Sequence, residues 1–550
     1  MLNFLNNKNL LIIFISLISF FFLFYAVKIN YLNHSLDSAV FVSNISKTYS
    51  FFWPFSQINH SAILYIKTSL PILPANGVCE IVRNIDTSGE VNMIDRHLYL
   101  MTFILAPLNR LLSAESIASF FHVFSYLGTL ILIYYYLRKK KVGIFASSLF
   151  ILLIVSYAGW HEGLYGQFYF DKLSIFPVSL ICLLIYERVK NNNKYNFLLF
   201  LTIFFSILLS ERVALMIGVF IFSLTFLYGL KRKFRKDDIL LICISLFIIL
   251  YALAYIFFIQ MNIGIQDTKI TFFEEIYDFF YKDGIFFYKL RYDTSFNLSL
   301  TKFLIVNSPF LFLLLFNWRI SLIVLLIMLP NIFGDIGGAE KIGWSTHYHS
   351  IYMPYLIAAS CIGFINFLNS FKLISLSVIK YLIIFLFTII SFTNNAYSLN
   401  PLLNIDFSQI KENGAVKLYG ITLNKGANGN IMNYKHEQNK IMSDLLPKHT
   451  SISTSEGYFP SLISNNREIH LYPLNFGKSE YLVLNYNELN IDGYNSDIVA
   501  SGEVSFLDFS NKIELSQCLN NMIKNEYMLI KKIPFTHETD WGTVVYKKKL

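Results

Sequence analysis

A chain of 550 residues in which 55% are hydrophobic, 17% aromatic and only 15% charged cannot clothe itself in polar surface, which excludes an ordinary water-soluble domain. Lys and Arg number 45 against 36 Asp and Glu, but the excess of +9 gathers in short segments between apolar runs, where it orients membrane helices. No nucleic-acid partner is expected from such a distribution.

The first apolar run, 10–27, follows Lys8, exceeds the apolar core of a secretory signal, and is followed by no small-residue cleavage site. It reads as a retained signal anchor with the N-terminus in the cytoplasm. The next segment, 28–98, carries "NHSLDSAVF", with His34 and Asp37 just beyond the span, and then Phe51, Phe52, Trp53 and Phe55, which suit the lipid interface. A partly desolvated carboxylate at Asp37 would be able to take a proton from an acceptor hydroxyl. A helix-end residue facing water has the same spacing.

Residues 99–112, "YLMTFILAPLNRLL", are too short to span and contain Pro107, which predicts a re-entrant or interfacial helix. Further spans are predicted over 116–137, 143–160, 173–189, 195–210, 213–230, 239–259, 302–317, 320–334, 350–369 and 381–394, about eleven with the first. Strict alternation then puts 138–141, Lys190 with Lys194, 231–236, Arg319, and Lys372 with Lys380 on the cytoplasmic side, as the bias of basic residues requires. The outer side receives 28–98, 161–172, 211–212, 260–301, 335–349 and everything after about 395. Within 260–301, "TFFEEIYDFFYKDGIFFYKL" mixes aromatics and charges as a helix lying on the bilayer would.

Three outer segments concentrate ionisable groups. "WHEGLYGQFYFDK" packs His161, Glu162, Asp171 and Lys172 between two spans, either as a shaped pocket or as side chains reaching out to water. "SERVAL" sets Glu211 beside Arg212 with almost no loop, so both must pair or line a polar cavity. "GDIGGAEKIGWSTHYHSIYMP" offers Asp335, Glu340, His347 and His349, which with Asp37 would suit a divalent cation as cofactor, while Gly337 and Gly338 would let a phosphate approach. A His-x-His pair on an extended loop is more simply read as two solvated histidines.

After about 398 the composition turns to Asn, Lys, Glu and Ser, and "EIHLYPL" and "EYLVLNY" read as strands beside polar helices. The expected organisation is a membrane domain over 1–397 and a small α/β domain over 398–550, outside the membrane. Cys182, Cys243 and Cys361 fall in spans, whereas Cys79 and Cys518 fall on the same outer side. Pairing of those two is open, because two cysteines define no framework.

These landmarks, in order, resemble the DUF2079 family of polytopic membrane proteins, which is grouped with the GT-C superfamily of glycosyltransferases. "LDSAVF" is similar to the acidic motif after the first span, with Asp37 in the acidic position, and "RHLYLMTFILAPLNRL" to a later segment, through His97 and Pro107. "FYFD" stands for a Phe-His-Pro-Glu element, with Phe168 and Asp171 matching and Tyr169 in place of the histidine. Glu211 is kept where the family has Lys-Glu, with Ser210 in place of the lysine, and "THYHSIYMPYLIAAS" matches through His347, Tyr348 and Pro354. The resemblance implies a GT-C-like helical bundle taking a sugar from a polyprenyl-phosphate donor in the bilayer and passing it to a glycan, lipid or protein acceptor at the outer face. It implies Asp37 as the base, Arg96, Lys172 or Arg212 as partners of the departing phosphate, and a substrate site that also includes His97, Glu162, Asp171, Glu211, His347 and His349. The compartment expected is a bacterial inner membrane with the tail in the periplasm. A transporter or flippase, or an assembly component of envelope polysaccharide machinery, is the alternative, and Asn-x-Ser triplets at Asn33, Asn44, Asn59 and Asn297 leave the endoplasmic reticulum open.

Overall fold

The computed structural model describes 98–165, 168–191, 196–256, 294–333, 349–370 and 374–396, then 512–533, 541–549, pieces between 415 and 487, residues 75–84, and a few shorter pieces up to 92. Most of the first predicted span, the 260–293 stretch and the 334–348 loop lie outside these residues. The chain forms two compact units, one from 1–24, 94–101 and 120–404, the other from 25–93, 102–119 and 405–550.

In chain order, α1 is Ala75–Asn84, α2 is Ala114–Lys139 and α3 is Ile144–Ser156. The predicted 143–160 span breaks at Tyr157, whose backbone is extended, and α4 restarts at Ala158–Tyr165. The cause is a side chain turned into the bundle: Tyr157 Oη donates to Asn307 Oδ1 at 2.7 Å and its ring meets Phe310 edge-on. Gly159 accommodates that ring, since a Cβ there would come within 2.6 Å of it. Glu162, expected in an outer loop, therefore lies in a helix.

Next come α5 (Ile175–Asn191), α6 (Asn196–Ile207), α7 (Glu211–Arg232) and α8 (Lys236–Ala254), then α9 (Thr294–Leu314) and α10 (Trp318–Phe333). No loop separates the last two: a 3-10 turn at Leu315–Asn317 joins them. Pro309 inside α9 removes one backbone donor, and Ser308 Oγ donates instead to Ile305 O at 2.7 Å. The bundle closes with α11 (His349–Ser370) and α12 (Ile374–Ala396). Among the described residues five helical runs are long and apolar enough to cross a membrane: α2, α7, α8, Phe303–Leu329 and α11.

Helix α11 is the axis of this unit, with 83% of its apolar window buried against 28% for α8. It packs on α5, α9 and α10. Ser360 Oγ donates to Phe310 O at 3.1 Å and Asn366 Nδ2 to Phe316 O at 3.0 Å, so one stripe of α11 lies on the backbone of α9 and the 3-10 turn. Gly363, between them, has no room for a Cβ against the Leu313 carbonyl. Close approach through small residues is how helices gain packing where lipid supplies no hydrophobic drive.

The basic clusters converge at one end of the bundle. Glu187 near the end of α5 accepts from Tyr136 Oη at 2.6 Å and pairs with Lys140 at 2.7 Å, joining α5 to the end of α2. Arg188 pairs with Asp237 at 3.3 Å, and Arg232 grips Asp238 with both terminal nitrogens at 2.9 and 3.0 Å. Alternation of spans predicts this convergence.

The second unit contains two sheets in its C-terminal part. β1 (Ala415–Leu418), β2 (Ile421–Lys425) and β3 (Ile431–Met432) form an antiparallel meander. β4 (Ser451–Thr454), β5 (Glu468–Leu471), β6 (Tyr481–Asn487), β7 (Tyr527–Ile533) and β8 (Trp541–Lys548) form a mixed sheet in the order β5-β4-β6-β8-β7. Four consecutive residues of the central β6, 481–484, are buried, as a strand covered on both faces requires. Helix α13, Lys512–Glu526, packs on α1, so residues far upstream of the tail complete this unit.

Cys79 of α1 and Cys518 of α13 are disulfide-bonded, with Cα atoms 6.3 Å apart. Arg83 and Glu526 pair at 2.7 Å beside them, and Asn475 N donates to Val82 O at 2.8 Å. Burial, with Glu526 adding, holds the Tyr527 phenol well above its usual range, and its hydroxyl donates to Ser479 O at 2.7 Å. Replacing Cys79 by Ser is expected to destabilise this unit by about 2–4 kcal/mol. Differential alkylation of the purified protein checks the premise, since both thiols should resist modification until a reductant is added.

Candidate active site

Opposite the basic end, four of the expected site residues meet. The 3-10 turn Phe170–Ser174 precedes α5 and packs on α11, carrying Asp171 and Lys172 inward. Both are buried, 0% and 1% exposed, so they do not reach out to water. Ser210 caps α7, its oxygen accepting from Val213 N at 3.2 Å, while its hydroxyl donates to Asp171 Oδ1. That cap places Glu211 in the first helical turn, where the helix dipole favours a carboxylate.

Glu211 is buried, accepts from Leu98 N at 3.0 Å through Oε2, and approaches the half-buried Arg212 at 3.9 Å through Oε1. Met101 N donates to Leu208 O at 2.8 Å, so the segment after Arg96 and His97 is clamped to the entry of α7. Tyr99 completes the cluster. Burial raises its phenol well above the usual value, Asp171 pushes the same way, and Arg212 opposes them. Two carboxylates, one half-buried arginine and a phenol thus share the site, with the buried Lys172 next to Asp171 in the same turn.

An aromatic wall leads away from it. Tyr99 lies 5.1 Å from Phe170, Phe170 5.6 Å from Phe168, and Phe168 5.8 Å from His122, measured between ring centroids. His122 Nε2 bonds Gly163 O at 2.8 Å, and Tyr126 packs edge-on against Trp160 at 4.9 Å. A Cβ at Gly163 would overlap the Tyr126 hydroxyl, so the glycine in "WHEGLYG" serves packing rather than flexibility.

His349, at the start of α11, is fully buried, which corrects the solvated reading for this residue. Ser179 Oγ donates to Pro354 O at 3.3 Å and fixes the first turns of α5 and α11 side by side. Asp37, His34, Arg96, His97, Asp335, Glu340 and His347 lie outside the described residues, as do the side chains of His161 and Glu162. Among the described residues no three His, Cys, Asp or Glu side chains form a metal site.

Sequence reasoning missed Ser210, Tyr99 and His122. The first was detectable, because a serine before Glu-Arg-Val at the head of an apolar run is a helix cap signal. The other two carry no local signature. No family model matches this chain, and no curated protein matches it.

Proposed function

We propose that this chain is a GT-C-like membrane glycosyltransferase with about eleven spans, which moves a sugar from a polyprenyl-phosphate donor to an envelope glycan, lipid or protein acceptor at the outer face. The observation that carries the reading is the meeting of Asp171, Lys172, Ser210, Glu211 and Arg212 at the end of the bundle opposite the basic clusters. Ionisable groups held at such depth are costly and mark function by default. Asp37, in the position the resemblance gives to the base, takes the acceptor proton. Arg212, 29% exposed at its side chain, meets the departing phosphate, while Glu211 and the Leu98 amide hold the arginine's surroundings in place. The Cys79–Cys518 disulfide supports an oxidising compartment for the second unit, and with it a periplasmic tail on a bacterial inner-membrane protein.

A non-enzymatic lipid transporter is the second reading. The complete burial of Asp171 and Lys172 favours it, since ionisable side chains enclosed in a membrane bundle also mark substrate pathways and proton relays. A photoreactive polyprenyl-phosphate sugar in liposomes tests donor capture. Labelling of the wild type should fall about tenfold or more in Arg212→Gln, the cost of one charge-assisted contact to phosphate. Equal labelling of the two proteins would remove Arg212 from the donor site.

A further inference from the structure

The mixed sheet of the second unit ends in β7, which bonds to β8 and is the last strand in the order. Met528, Leu529 and Ile530 follow one another along it at 51%, 52% and 43% exposure. Among the described residues after 415, only Leu445 joins them as a large exposed apolar side chain, so the exposure is gathered in one row. Single apolar residues scattered over a surface need no explanation, whereas three in succession on a sheet edge mark something that covers them.

Lysines frame this row. Lys531 and Lys532 continue β7, Lys547 stands opposite Met528 on β8, and Lys524 lies in the last turn of α13 just before the strand. All four are exposed. Among the described residues Lys524, Lys531 and Lys547 pair with no carboxylate, and Glu526, next to the strand, is taken by Arg83 at 2.7 Å. The Tyr481 ring, 5.9 Å from the Lys547 ammonium, leaves that charge in place.

The register of the strand decides between two occupants. Val545 stands opposite Lys531 and Tyr546 opposite Leu529, so Ile530 has no residue across from it and β7 carries a bulge. A bulge and lysines on an edge hinder the addition of another strand. A second copy docked about a twofold axis would also bring the same lysines together. An anionic lipid surface complements both features, because apolar side chains beside lysines bind it through buried area and headgroup charge at once. The spans of the helical unit tether this sheet near a bilayer, where even a weak contact is populated. We propose that the β7 edge docks on an anionic bilayer surface, with Met528, Leu529 and Ile530 entering the headgroup region and Lys524, Lys531 and Lys547 meeting lipid phosphates. The proposal does not depend on the sugar-transfer reading.

The test is amide hydrogen exchange of the full-length protein, read by mass spectrometry in detergent and in single-copy nanodiscs of phosphatidylglycerol or phosphatidylcholine. Exchange over Tyr527–Ile533 should be about tenfold slower in phosphatidylglycerol than in detergent, and phosphatidylcholine should slow it clearly less. Lys531→Gln should give back about fivefold, the worth of one lysine at an anionic surface. Leu529→Ser combined with Ile530→Ser should remove the slowing and leave the melting temperature unchanged, since exposed positions contribute little to the fold. Equal exchange in phosphatidylglycerol nanodiscs and detergent would overturn the proposal, and so would equal slowing by the two lipids. Slowing in detergent that grows with protein concentration would assign the edge to a second copy and overturn it as well.

Discussion

Replacing Asp171 by Leu is expected to cost the helical unit about 3–5 kcal/mol, the range for removing one member of a buried charged set. Ser210 would lose the acceptor of its hydroxyl, and Lys172, 1% exposed, would stay buried next to an apolar side chain in place of a carboxylate. Asp171→Asn keeps an oxygen for Ser210 and should cost clearly less. Thermal unfolding in detergent, followed by circular dichroism, reads the difference. Equal melting temperatures for wild type and Asp171→Leu would show that the cluster contributes nothing to the fold.

The second large effect is expected at Gly363→Ala, with a loss of about 3 kcal/mol. Its methyl would fall on the Leu313 carbonyl, which belongs to backbone and cannot rotate aside. Helix α11 would have to retreat from α9, weakening the bonds from Ser360 to Phe310 O and from Asn366 to Phe316 O at the same time. At Gly77, where a Cβ meets nothing within 4 Å, the same substitution should be nearly silent. Comparable melting temperatures for the two variants would contradict this account of the α9–α11 contact.

Hydrophobic runs and basic clusters made the helical class legible, because lipid imposes length and charge rules that need no tertiary knowledge. They fixed α2, α7, α8 and α11 closely, but they misjudged 143–160, where one inward-turned tyrosine breaks the helix, and 302–334, where two predicted spans run on through a 3-10 turn. The pairing of Glu211 with Arg212 was legible from adjacency. The burial of Asp171, its bond to Ser210 and the placement of Tyr99 were not, since they join residues 39 or more positions apart through packing of three segments. The disulfide was equally out of reach, because its partners are separated by 439 positions and only the docking of α1 on α13 brings them together.

The most direct measurement is sugar transfer from a panel of radiolabelled polyprenyl-phosphate sugars by the purified protein in lipid, with Asp37→Asn alongside. The account predicts turnover with at least one donor and its loss in the variant while folding and donor capture persist. Turnover by Asp37→Asn equal to wild type would contradict the assignment of the base. Donor lipid carried across the bilayer with its sugar intact, and no transfer from any donor, would contradict the enzyme itself.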